Sequence, residues 1–251
     1  MDAVTERTLR AAMAGDHRSD AHTARDRWRH PVETLNFFGF DRRMTVADIW
    51  PGSAGWTTEL LAPVLRDEGR YIAVGYDAVT ETSFDPRNSQ AKFEAKLAAR
   101  PDLYGRTVLG KASQVAFDIA PDGTVDLALF MRLAHVFARN DALPAVLAAI
   151  RRALKPGGVL GVKEHRARAQ APRDPRGLSG YMHQDQVIEI VTAAGFTFEA
   201  ASEINANPAD TADHPKGVWN LPPWLWGGEA DRARYLAIGE SDRMTLRFRR
   251  P

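Results

Sequence analysis

From about residue 45 to residue 204, short apolar runs alternate with stretches whose apolar positions recur every three or four residues. Residues 45–50 (TVADIW) are β-branched and largely apolar, as a strand buried on both faces requires. Pro51-Gly52 ends the run, and Trp56, Leu60, Leu61, Val64 and Leu65 then keep one apolar helical face. The same reading predicts a second strand over 71–76, a helix over 91–100 stopped by Pro101, a weak third strand over 107–109 and a strong fourth over 125–130. It continues with a helix over 143–154 stopped by Lys155-Pro156-Gly157-Gly158, a fifth strand over 159–163, a helix over 185–194 and a sixth strand over 196–203. Residues 244–249 alternate apolar and polar, the pattern of a half-exposed antiparallel strand.

Strands separated by helices require right-handed crossovers, so the expected fold is α/β: a Rossmann-like, doubly wound, seven-stranded sheet, mostly parallel with an antiparallel last strand. Two segments fall outside the rhythm. Residues 1–44 read as a helical extension or cap on a domain formed by 45–251. Residues 204–242, rich in Asn, Pro, Gly and Trp, form a long insertion between strands six and seven. Strand six ends, and strand seven starts, at the same edge of the sheet. The insertion is therefore expected to emerge there as a lid or acceptor pocket.

Composition narrows the chemistry. Of 251 residues, 33 are Lys or Arg and 32 are Asp or Glu, a net charge of +1 that gives no reason to expect nucleic acid as a partner. Arg far outnumbers Lys, which reads first as coding bias. With no cysteine, thiolate metal sites and Cys nucleophiles are excluded. The first twenty residues lack the apolar core of a secretory signal and no run is long enough to span a bilayer, so no membrane partner and a cytoplasmic location are expected.

The strongest chemical signal is the junction Asp48-Ile49-Trp50-Pro51-Gly52-Ser53-Ala54-Gly55. Small residues at Gly52, Ala54 and Gly55 let backbone approach a ligand, and the following helix start offers free N–H groups. Asp77 follows the second strand, where a carboxylate can accept both ribose hydroxyls. Together these describe a nucleoside-cofactor site; the turn alone is also that of an ordinary strand–helix junction. The antiparallel last strand and the segment Ala153-Leu154-Lys155-Pro156-Gly157-Gly158 resemble the class I S-adenosylmethionine-dependent methyltransferases over residues 40 to 250. RHPVETLNFFG, WPGSAGW, INANPADTADHPKGVWNLPP and YLAIGESDRMTL resemble a bacterial family of predicted methyltransferases from about Arg25 onward.

The resemblance implies S-adenosyl-L-methionine as cofactor, bound by Asp48, Trp50, Pro51, Gly52, Ala54, Gly55 and Asp77, with a small organic molecule as acceptor. Two departures stand out. The class usually has Gly where Trp50 and Ala54 stand. The acid that often meets the adenine after the third strand is replaced by Gly110-Lys111-Ala112-Ser113-Gln114, where a carbonyl, Ser113 or Gln114 could serve. An indole of Trp50 folded into the crevice would close it to an adenosyl group.

For the acceptor side, Arg132 and His135 follow the fourth strand, His165 follows the fifth, and His214 lies among Asp210, Asp213 and Lys216 in the insertion. These three histidines and Arg132 are the candidate catalytic groups. No metal is expected: only Glu164, His165, Asp210, Asp213 and His214, brought together from two loops, could hold one. An enzyme of this fold using the cofactor for elimination, cyclisation or decarboxylation is the alternative, and a non-enzymatic sensing module a third. Oligomeric state is left open.

Overall fold

The core is divided by the sheet, because successive residues of each central strand face opposite ways. In the computed structural model, which describes residues 1–76, 86–113 and 115–251, the side chains of 86–88 excepted, Val46, Leu127 and Leu129 enter one cluster. Their neighbours Ala47, Ile49, Ala128 and Phe130 enter the other. In chain order the elements are helices α1 (Ala3–Met13), α2 (Asp20–Thr23), α3 (Asp26–Arg29) and α4 (Pro31–Phe37), then β1 (Thr45–Ile49), α5 (Trp56–Leu65) and β2 (Arg70–Tyr76). Next come α6 (Pro86–Ala99), α7 (Pro101–Tyr104), β3 (Val108–Ala112), β4 (Phe117–Asp118), β5 (Val125–Met131), α8 (Ala134–Arg139) and α9 (Leu143–Ala153). The chain closes with β6 (Leu154–His165), α10 (Gln184–Ala193), β7 (Thr197–Ser202), a 3-10 turn (Gly217–Asn220), α11 (Arg232–Ile238) and β8 (Arg243–Arg249).

The sheet order is β4-β3-β2-β1-β5-β6-β8-β7. Strands β3, β2, β1, β5 and β6 are parallel, and β8 is antiparallel to both β6 and β7. The seven expected strands are present in the expected directions. Between β1 and β5 the connectivity turns from one side of the sheet to the other, which is where open α/β sheets bind ligands. The extension shares a core with the domain it covers: Leu9, Val32, Leu35 and Phe38 pack with Val46, Leu60 and Leu127. Gly161 permits this on β6, since a Cβ there would lie 2.8 Å from the Phe38 ring.

The differences from expectation have local causes. Strand β3 runs to Ala112 instead of stopping at 109, because its pairing with β2 continues to Tyr76. The helix expected from 91 begins at Pro86, and β6 begins at Leu154, with residues 155–158 inside the strand instead of in a loop. Five elements were not expected: α7, β4, α8, the 3-10 turn and α11. Strand β4 is two residues long and pairs only with β3, and α11 lies within the insertion. No helix of the described residues is long and apolar enough to cross a membrane.

Candidate active site

At the switch point a cavity of about 270 Å³ opens above the ends of β1, β5 and β6. Its floor is the 51–55 turn and the start of α5, and its far wall is Arg25, Arg29, Thr34 and Leu35 of the extension. Pro223 and Trp224 of the insertion reach its rim. Gly52 has φ +79°, and an added Cβ would meet nothing within 4 Å, so backbone faces open space. Gly55, at φ +59°, precedes α5, whose first turn has no side-chain cap. Ala54 is absent from the residues with positive φ, so its methyl group causes no backbone strain.

Trp50 behaves differently. It takes φ +45°, a conformation glycine adopts freely and a tryptophan does not. Its ring lies 4.5 Å from Tyr76 and 4.6 Å from Phe137, inclined about 34° and 33°. Its Nε1 donates to the Ala112 carbonyl at 2.9 Å. A flat slot with two aromatic walls and a carbonyl at its end is thus filled by the chain's own indole. This slot lies between the 51–55 turn and Ser113, where the purine end of a nucleoside cofactor was expected. Ser113 itself is fully buried, and its Oγ accepts from the N–H groups of Val115 and Ala116, closing the β3–β4 turn. It does not line the cavity. Asp77 and Gln114 lie outside the described residues.

Asp48 lines the cavity from β1 and is 1% exposed. The Tyr71 hydroxyl donates to it at 2.8 Å. Burial pushes its carboxyl up to about 6, against the lowering effect of Thr57, Tyr71 and Arg132.

Arg132 lines the cavity as expected, beside three cations that the sequence reading passed over: Arg25, Arg29 and Lys163. Burial pushes Arg132 down to about 10. Burial and the charges of Arg243, Arg29 and Arg132 hold the Lys163 ammonium well below its ordinary value. Guanidinium groups stay protonated under such pressure, so the repulsion acts most on Lys163. Glu240, 4% exposed, accepts from Arg25 Nε at 2.6 Å, Arg29 Nε at 3.1 Å and Arg243 Nη1 at 2.7 Å. The available sequence signal was Lys163-Glu164, a charged pair directly after the apolar run 159–162 of a central strand.

The three histidines are not among the residues lining the cavity. His135 and His165 stand together, ring centroids 5.3 Å apart, at the ends of β5 and β6. His135 Nδ1 lies 2.9 Å from Glu164 Oε1. An ionised carboxylate only accepts, so the neutral ring carries its proton on Nδ1 and leaves Nε2 as an acceptor. Glu164 also accepts the backbone N–H groups of His135 and His165. His165 Nδ1 meets Ser241 Oγ at 2.5 Å, and burial, with His135 and Arg132 nearby, keeps this ring neutral. His135, Glu164 and His165 offer ligand atoms within 4.8 Å of one another. The carboxylate's three N–H bonds make it an orienting group for His135 before it is a ligand.

His214 sits elsewhere, 7% exposed, with Nε2 2.9 Å from Asp210 Oδ1. Asp210 also accepts from the Tyr181 hydroxyl and the N–H groups of Ala212 and Asp242. Asn205 Nδ2 donates to Thr34 and Thr245, and Asn207 Nδ2 to the carbonyls of Ile238 and Glu240. The segment that looked richest in catalytic groups is a hydrogen-bonded clamp joining the insertion to α4 and β8. The structure thus places His214 in this clamp and not on the cavity wall. Asp213 accepts from Thr211, and the group of metal-capable side chains found among the described residues, His135, Glu164 and His165, includes none of Asp210, Asp213 and His214.

Residues 53–162 match the family model described as a methyltransferase domain. No curated protein matches the chain. Among solved structures, the [4+2]-cyclase SpnF is 23% identical, with 94% of this chain and 85% of that one covered at a TM-score of 0.60. A SAM-dependent methyltransferase from Aquifex aeolicus is 19% identical, with 72% and 87% covered and a TM-score of 0.55. The 1,6-didemethyltoxoflavin-N1-methyltransferase of Burkholderia thailandensis, crystallised with 1,6-didemethyltoxoflavin and S-adenosylhomocysteine, is 17% identical, with 98% and 79% covered and a TM-score of 0.51. At these identities the likeness is one of fold.

Proposed function

We propose that this chain is an S-adenosylmethionine-dependent methyltransferase acting on a small organic molecule. The observation that carries the reading is the cavity at the β1–β5 switch point, floored by the 51–55 turn, in which the stretch that matches the methyltransferase model begins at Ser53. WPGSAGW and EINANPADTADHPKGVW support the narrower bacterial family. Gly52 fits the cofactor, because its backbone faces open space. At the purine end the fit depends on the Trp50 indole leaving its slot. Asp77 is the proposed ribose partner.

When bound, S-adenosylmethionine supplies a methyl group already activated by its sulfonium. The protein's share is to align the acceptor, exclude water and accept a proton. Asp48, Pro51, Gly52, Ala54, Gly55 and the first N–H groups of α5 hold the cofactor. Helices α3 and α4, with the insertion, cap the acceptor side through Arg29, Thr34, Pro223 and Trp224. Arg132 positions the acceptor. His135, its tautomer set by Glu164, and behind it His165 are the proposed proton acceptors nearest the β5 and β6 ends.

The test is calorimetric titration with S-adenosylhomocysteine. Binding to the wild-type chain, its loss in Gly52→Val and a several-fold weakening in Asp77→Ala are expected; no binding to any of the three sinks the reading. A second reading, the same cofactor used without methyl transfer, is favoured by the filled purine slot and by likeness to a protein described as a cyclase. Release of S-adenosylhomocysteine in step with turnover decides against it.

A further inference from the structure

The cation wall of the cavity is not explained by the cofactor. Arg25, Arg29, Arg132 and Lys163 line it, and Arg243, 1% exposed, stands behind them. The carboxylates among them are Glu240, Asp48 and Glu164. Glu240 is shared by three arginines, Asp48 is raised to about 6 by burial, and Glu164 is engaged by His135 and two backbone N–H groups. Positive charge is left over. Arg25 Nη2 and Arg29 Nη2 are buried without a hydrogen-bond partner. Neither the Arg132 guanidinium nor the Lys163 ammonium, the latter residue 5% exposed, is hydrogen-bonded or ion-paired among the described residues.

Cations withdrawn from water and short of partners are costly, and their persistence around a cavity calls for an anion inside it. The cofactor's amino-acid end is net neutral, so its one carboxylate does not balance the cations left over. Position argues the same way. The 51–55 turn follows β1 and the purine slot lies toward β2 and β3, whereas Lys163 is on β6, across the switch point. Guanidinium forks match planar or tetrahedral oxyanions, and an ammonium adds a point charge. Leu35, Leu60, Leu129 and Met131 give the cavity apolar surface beside these cations.

We propose that this wall anchors the acceptor by an oxyanion: the substrate is a small molecule with an apolar body and a carboxylate or phosphate group, held by Arg29, Arg132 and Lys163. The inference rests on the methyltransferase reading for the word acceptor, and on the cavity alone for the anion.

The experiment titrates the chain, alone and saturated with S-adenosylhomocysteine, with inorganic phosphate, malonate and neutral malonamide. Phosphate or malonate binds and malonamide does not, and the better of the two identifies the head group. Lys163→Met weakens that anion at least tenfold and leaves S-adenosylhomocysteine within twofold. This variant removes a cation from a crowd of cations, so its melting temperature holds or rises and misfolding does not obscure the result. Three results overturn the proposal: S-adenosylhomocysteine binds but neither anion does, the anion competes with S-adenosylhomocysteine, or Lys163→Met binds the anion as well as the wild type. Anion binding without any S-adenosylhomocysteine binding supports the charged wall and removes the methyltransferase reading instead.

Discussion

Trp50 carries two conflicting demands. Its backbone, at φ +45°, favours glycine, while its indole is held by Tyr76, Phe137 and the Ala112 carbonyl. Trp50→Gly relieves the backbone and empties the slot. The expected result is S-adenosylhomocysteine binding at least tenfold tighter by calorimetry. A stability loss of about 3–5 kcal/mol accompanies it in urea, as for a large aromatic removed from a core. Equal affinity in both forms would show that the indole and the purine do not share the slot. Asp48 gives a pH signature. Its carboxyl is raised from 3.8 to about 6, so the folded chain binds a proton there more tightly than the unfolded one. Stability from this group is fully present below pH 3.8 and is lost as pH rises through 6, by about 3 kcal/mol. Asp48→Asn keeps an acceptor for Tyr71 and removes that slope. Urea midpoints compared at pH 4 and 7 measure it, and an unchanged slope in the variant refutes the assignment.

At the scale of elements, the C-terminal ends of β1, β5 and β6 deliver Asp48, Arg132 and Lys163 to one cavity; strand direction gave the edge and placed Asp48 and Arg132 there, while Lys163 went unnoticed inside an apolar strand. The insertion did not follow. Its Asn, Asp and His residues carry no periodicity, so the sequence could not say whether their polar atoms face a ligand or one another. They face one another: Asp210 alone ties Tyr181, Ala212, His214 and Asp242. Asp210→Ala is therefore expected to cost about 3–5 kcal/mol, because it strands several buried donors. His214→Gln is expected to lower the melting temperature while leaving kcat within about threefold. A fall in kcat of a hundredfold or more in a fully folded His214→Gln would restore that histidine to the chemistry. Strand β4, helices α7, α8 and α11 and the 3-10 turn were missed for another reason, being too short for their patterns to rise above neighbouring turns.

Across the whole molecule, Glu240 joins the two ends of the chain. It accepts from Arg25 and Arg29 in the extension and from Arg243 on β8. Burial alone would push its carboxyl up, but Arg29, Arg243 and Arg25 hold it well below its ordinary value of 4.5. The stability it supplies is thus present above about pH 4.5 and lost as pH falls below. Glu240→Gln leaves these arginines uncompensated and is expected to cost about 3–5 kcal/mol at neutral pH. Amide exchange over residues 20–37 should quicken in step, and protection unchanged there would show that other contacts hold the extension.

Sequence by itself determined the alternation of strands and helices, the doubly wound class, the antiparallel last strand and the sheet edge at which the cavity opens. Those depend on hydrophobic period and on handed crossovers, which are local and general. Only the tertiary structure decided that Trp50 fills the slot beside the turn, that the insertion's polar residues satisfy one another, and that Arg25 and Arg29 stand across from Lys163. Each of those is a side chain choosing among partners far away in the chain, and a one-dimensional pattern holds no record of that choice.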